Sequence, residues 1–96
     1  MSIEFLHEAA RSRYAILEEG ETVGTLTYTT RGDIVSLTYS YTEPEHRGRG
    51  LAAQLVEFAV EDITADPEAR IIPTCGYVRG WFADHPEYRD ALFSNL

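Results

Sequence analysis

Between Ile34 and Ile63 the spacing of apolar residues changes from two to three and four, and the change falls across one short loop. In "IVSLTYSYT", Val35, Leu37, Tyr39 and Tyr41 alternate with Ile34, Ser36, Thr38 and Ser40, so period two assigns the first set to one covered face of a strand. From Gly50 onward Leu51, Leu55, Phe58 or Ala59 and Ile63 recur at helical steps, with Gln54, Glu57 and Glu61 opposite. That helix stops before Asp66-Pro67, because a residue ahead of proline avoids the helical region. "RIIPTC" then reads as a short strand that tolerates Pro73 only near an edge or a bulge. Strand, helix and strand make a β-α-β unit. If both strands share a sheet they run parallel with a right-handed crossover, and ligands bind at the carboxyl edge of such strands.

Upstream, "RYAILEEGETVGTLTYTT" reads as two strands, with Tyr14 to Leu17 and Val23 to Thr30 flanking a turn at Glu19-Gly20-Glu21. Arg31-Gly32-Asp33 is a second turn. The expected order is three antiparallel strands, a helix and a strand, an α/β class with a mixed sheet. Two short helices follow, split at His85-Pro86, with proline at the first helical position of the second. A chain of 96 residues has room for one core, so residues 1–96 are expected to form a single domain.

Composition narrows the function. A net charge of −8 argues against a general nucleic-acid binder, which needs a basic face. No apolar run has the length of a membrane span. The opening "MSIEFLHEAARSR" lacks a small-residue cleavage site, which reads as no signal peptide and a cytoplasmic location. One cysteine, Cys75, makes no internal disulfide, and three scattered histidines lack metal spacing, so no metal is expected.

Against this acidic background, "HRGRGLA", His46 to Ala52, concentrates arginine and glycine at a helix entrance. Gly48 and Gly50 let the backbone turn its N–H groups inward. The first helical turn leaves N–H groups unpaired, and its dipole favours an anion. Arg47 and Arg49 add charge and forked donors. Together these features suit a pyrophosphate. A glycine turn that merely joins strand to helix has the same local pattern, and the residues alone leave both readings open.

"RGRGLA", Arg47 to Ala52, resembles the Arg/Gln-x-x-Gly-x-Gly/Ala signature of GNAT-fold acyl-CoA N-acetyltransferases. The longer strings "TEPEHRGRGLAAQLVEFAVED" and "IIPTCGYVRGWFADHPEY" resemble small single-domain members of that family, over about Arg13 to Leu92. The resemblance implies a minimal GNAT fold and acetyl-CoA as co-substrate. It implies that the amides of Arg49, Gly50, Leu51 and Ala52 meet the pyrophosphate and that the backbone at Tyr41 and Thr42 pairs with the pantetheine arm. It places the thioester near Cys75. Relatives often carry His-Thr-Glu where this chain has Tyr39-Ser40-Tyr41, so the resemblance assigns no glutamate base there. The implied activity is acetyl transfer to an amine, a small molecule or a basic protein, by a monomer. The alternative is a non-catalytic module that binds coenzyme A or a protein.

Cys75 has three readings: acyl acceptor, contact to the coenzyme, or small buried thiol. Cys75 lies just ahead of a helix start, with the Arg/Gly loop expected nearby, and both helix N-termini would favour thiolate over thiol. His46 is a base, a phosphate donor or a solvated loop residue. His85 is expected to cap the last helix, Glu43 and Glu45 to be solvated, and Trp81 and Phe82 to be core.

Overall fold

The computed structural model describes residues 2–93. Five strands form one sheet in sequential order: β1 (Ile3–Glu8), β2 (Arg13–Glu18), β3 (Glu21–Arg31), β4 (Ile34–Thr42) and β5 (Arg70–Pro73). The first four pair antiparallel, and β5 joins β4 in parallel after the helix α1 (Leu51–Thr64). A second helix, α2 (Gly76–Asp84), and a 3-10 segment (Pro86–Ala91) follow. The β-α-β unit and the mixed sheet are as the period change predicts. One strand more is present than expected, since β1 precedes the predicted three.

α1 buries Leu51, Leu55, Val56, Ala59, Val60 and Ile63, the helical stripe expected from spacing. The stripe covers Tyr14, Ile16, Leu26 and Leu37. Burying each such side chain stabilises the fold by about 1.5–3 kcal/mol. α2 packs beside α1 and over β4 and β5, anchored by Val78, Trp81 and Phe82. Both α-helices therefore share one sheet face.

Tyr39 departs from expectation. Leu37 pairs with Tyr28, but Tyr39 pairs with Thr27, so Thr38 is an extra residue in β4. A bulge of one residue inverts the alternation beyond it. Val35 and Leu37 face the helices, whereas Tyr39 and Tyr41 face the other side, and Tyr39 is 58% exposed. Ser40 and Thr42 take the inward positions instead, opposite Leu26 and Gly24.

His85 also differs in role. It provides no side-chain cap to the segment after Pro86. Instead its Nδ1 lies 2.7 Å from the carbonyl of Trp81, and its ring stacks on the indole at 4.0 Å, so it closes the preceding helix. The segment after Pro86 is 3-10 rather than α.

Candidate active site

The loop from β4 to α1 turns at Gly48 and Gly50, with φ of +82° and +79°. That left-handed backbone is costly for residues with a Cβ, which explains the two glycines. Gly50 is the N-cap of α1 and gives it no side-chain hydrogen bond, and no acidic residue sits in the first turn. The first amides of the helix are thus left for an external acceptor. They open on a cleft of about 390 Å³ lined by Ser40, Thr42, His46, Arg47, Gly48, Gly50, Leu51, Ala52 and Tyr77. A diphosphate fits this donor set: backbone N–H groups, a helix dipole, an arginine, and no carboxylate among the lining residues.

Next to the loop, β4 and β5 part company. Their pairing runs from Ile34 with Arg70 to Leu37 with Pro73 and then stops, although β4 continues to Thr42. The amide of Cys75 makes the last link, donating to the carbonyl of Leu37 at 2.9 Å. Beyond it one edge of β4 is left without a strand partner. Glu43 N–H bonds to Val23 on β3, so the antiparallel alternation turns the peptide groups of Tyr41 toward β3 as well. Those of Ser40 and Thr42 face the cleft side, where the Thr42 carbonyl accepts from Arg47 Nε at 2.8 Å.

The two arginines do different work. Arg47 lines the cleft, bonded at Nε to Thr42, with its guanidinium carbon 5.6 Å from the centre of the Tyr41 ring. Arg49 turns the other way. Its two terminal nitrogens fork the Glu18 carboxylate at 2.9 and 2.6 Å. The Arg49 guanidinium holds the Glu18 carboxyl below the ordinary carboxylate value, and Glu18 raises Arg49 in return. His46 joins them, with Nδ1 at 2.9 Å from Arg49 Nη1. It is half-buried rather than freely solvated.

Of the residues singled out from sequence, the cleft brings together Thr42, His46, Arg47, Gly48, Gly50, Leu51 and Ala52. Tyr41, Arg49 and Cys75 are not among its lining residues. Cys75 is the N-cap of α2, half-buried and packed against the core at the point where β4 and β5 diverge. Sequence reasoning missed Ser40, Tyr77 and Glu18. The bulge that turns Ser40 inward has no sequence mark, and Glu18 lies 31 positions from its partner. Tyr77 is flagged only by its place two residues after Cys75, and burial raises its hydroxyl above the ordinary tyrosine value.

Among the described residues no helix is long and apolar enough to cross a membrane, and no group of three or more His, Cys, Asp or Glu forms a metal site. Comparison with curated proteins finds no match. Among solved structures, a GCN5-like protein from Staphylococcus aureus superposes with a TM-score of 0.75 at 18% identity, covering 100% of this chain and 94% of that one. The ribosomal-protein-S18-alanine N-acetyltransferase of Escherichia coli gives 0.64 at 11% identity, over 88% of this chain and 54% of that enzyme. The ribosomal-protein-alanine N-acetyltransferase of Brucella melitensis gives 0.55 at 14%, over 88% and 65%. At these identities the likeness establishes the shared fold. The family model of GCN5-related N-acetyltransferases matches residues 13–91, which contain the whole β-α-β unit. With the uncapped helix behind Gly48 and Gly50 and the parting of β4 from β5, this chain belongs to the GCN5-related N-acetyltransferase family.

Proposed function

We propose that the protein takes acetyl-CoA as acyl donor and transfers the acetyl group to an amine, with Cys75 beside the thioester. The observation that carries this reading is the open helix N-terminus at Gly50, facing a cleft flanked by the unpaired edge of β4. Bound acetyl-CoA supplies an activated acyl thioester. The chain supplies the rest: amides of the first turn of α1 hold the diphosphate, and Arg47 adds a charge-assisted contact. Ser40 and Thr42 offer peptide groups to an extended amide-bearing arm, in the manner of an added strand. Cys75 and the start of α2 flank the far end of that edge, where backbone N–H groups are suited to a developing oxyanion.

The acceptor is a primary amine on a small molecule or a basic protein. An acidic chain of net charge −8 steers cations toward it. The protein acts in the cytoplasm as a monomer. The test is incubation with acetyl-CoA and a panel of amines and basic peptides, reading free thiol release and acceptor mass. Release coupled to acetylation of one class supports the reading. Acetyl-CoA bound but unconsumed across the panel counts against transfer, and no binding at all counts against the donor.

A further inference from the structure

We propose that Glu18 is a positioning residue for the phosphate end of the cleft: through Arg49 it fixes His46 so that the ring offers Nε2–H to a bound anion. The proposal rests on the acetyl-CoA reading above. Glu18 ends β2 on the helix-covered face, and its side chain is 10% exposed. Both its oxygens accept from Arg49, at 2.9 and 2.6 Å. This fork carries geometric specificity as well as charge, and it ties the loop to the sheet. Arg49 Nη1 lies 2.9 Å from His46 Nδ1, and Glu18 Oε1 lies 3.2 Å from the same nitrogen.

A guanidinium nitrogen can only donate, and Arg49 is the nearer of the two neighbours, so we take Nδ1 of a neutral His46 as the acceptor. Its proton must then sit on Nε2. If the ring gains a second proton, Nδ1–H turns to Glu18 Oε1 and Nε2 keeps its own. Nε2 is therefore a donor in both charge states. It is also the ring nitrogen left for the cleft that His46 lines with Arg47, Gly48 and Gly50. Arg49 thus serves the loop, and His46 together with Arg47 serves the ligand.

Nitrogen-15 correlation spectra of the ligand-free protein test the tautomer. The expected result is a neutral His46 protonated at Nε2, with its Nδ1 resonance moving in Glu18→Gln. A ring protonated at Nδ1, or one indifferent to Glu18→Gln, overturns the relay. Calorimetry supplies the second arm. Glu18→Gln is expected to weaken acetyl-CoA about three- to tenfold while leaving S-acetyl-pantetheine, which lacks the diphosphate, unchanged. Glu18→Asp should recover part of the loss. Unchanged or tighter acetyl-CoA binding in Glu18→Gln means that Glu18 only masks the charge of Arg49, and the proposal fails. If the wild-type protein binds no acetyl-CoA, the donor assignment fails instead, and the relay is still decided by the spectra of the ligand-free protein.

Discussion

The hydroxyl of Tyr14 donates to Asp62 Oδ2 at 2.7 Å, joining β2 to the last turns of the helix whose first turn forms the cleft. Tyr14 is 2% exposed, while the Asp62 side chain is 44% exposed. The two ends of this bond are therefore unequal. Tyr14→Phe removes the buried polar atom along with the bond and should cost about 1 kcal/mol. Asp62→Ala strands a buried hydroxyl and should cost more, about 1–3 kcal/mol. Urea melts of the two variants check the order.

The same bond sets an alkaline limit. Burial first, and then the bond to Asp62, raise Tyr14 above its ordinary value of 10.0. The unfolded chain releases that proton near the ordinary value and the folded chain does not. The contribution of Tyr14 to stability is thus complete below pH 10 and declines as pH climbs beyond it. Across that range the melting temperature of the wild type should fall more steeply than that of Tyr14→Phe, so that the two converge, if Tyr14 is the group responsible.

On the acid side the controlling pair is Glu18 with Arg49. The hydrogen bonds and charge of Arg49 lower the folded value of Glu18 below 4.5. A lowered carboxyl contributes stability above its unfolded value and loses it as pH falls through the folded one. Glu18→Gln should therefore lower the melting temperature at neutral pH, and the difference should shrink progressively as pH falls below the ordinary glutamate value. A difference that persists undiminished in acid would assign the effect to packing.

Gly24 is needed for space rather than for a turn. A Cβ there would sit 2.9 Å from Ile16 Cγ2 and 3.3 Å from the Tyr41 carbonyl. Ile16 is fully buried, so it cannot swing aside. Gly24→Ala should destabilise by about 1–3 kcal/mol, as overpacking does. Adding Ile16→Ala, itself destabilising, should cost less than the sum of the two. Strict additivity in the double-mutant cycle would show that the contact is not the cause.

Gly50 separates binding from folding. Nothing lies within 4 Å of its would-be Cβ, so a side chain meets backbone strain of about 1–2 kcal/mol and no clash. A carboxylate beside the helix N-terminus offsets part of that strain. Gly50→Glu is thus expected to stay folded and to lose acetyl-CoA binding, because the diphosphate and the carboxylate compete for the same amides. Calorimetry on a variant whose circular dichroism is unchanged decides the matter; retained affinity would remove this helix end from the site.

How far the sequence reaches depends on whether a feature is local. The glycine loop and the stripe from Leu51 to Ile63 follow from spacing along one segment, and the structure has the helix begin after Gly50 and bury that stripe. β1 is harder to read, since Ile3, Phe5 and His7 on its inner side are interleaved with Glu4, Leu6 and Glu8, and Leu6 is exposed. The bulge at Thr38 has no residue signature, so strict alternation carries Tyr39 to the wrong face and leaves Ser40 out of the cleft. Arg49 reads as a phosphate ligand from the loop alone, and its fork to Glu18 on β2 is invisible at that range. Long-range pairing decides what an arginine in such a loop does.

On the acetyl-CoA reading, two chemically distinct roles are open to Cys75. Its backbone is fixed twice: its N–H donates to Leu37, and its carbonyl accepts from Arg79 at 3.0 Å as α2 begins. The residue is thereby fixed where β4 and β5 part, half-buried and packed against the core. If it accepts the acetyl group, sulfur bonds to the acyl carbon as coenzyme A leaves as thiol. Intact mass then shows an acetyl adduct, and Cys75→Ala binds acetyl-CoA normally but loses the adduct and most turnover. If it only borders the thioester, Cys75→Ser keeps transfer within a few-fold, because a neutral amine attacks without an enzyme thiol. In both cases acetyl-CoA should protect Cys75 from iodoacetamide. A thiol that alkylates equally fast with and without acetyl-CoA, or not at all in the free protein, belongs to the packing of α2 and to nothing else.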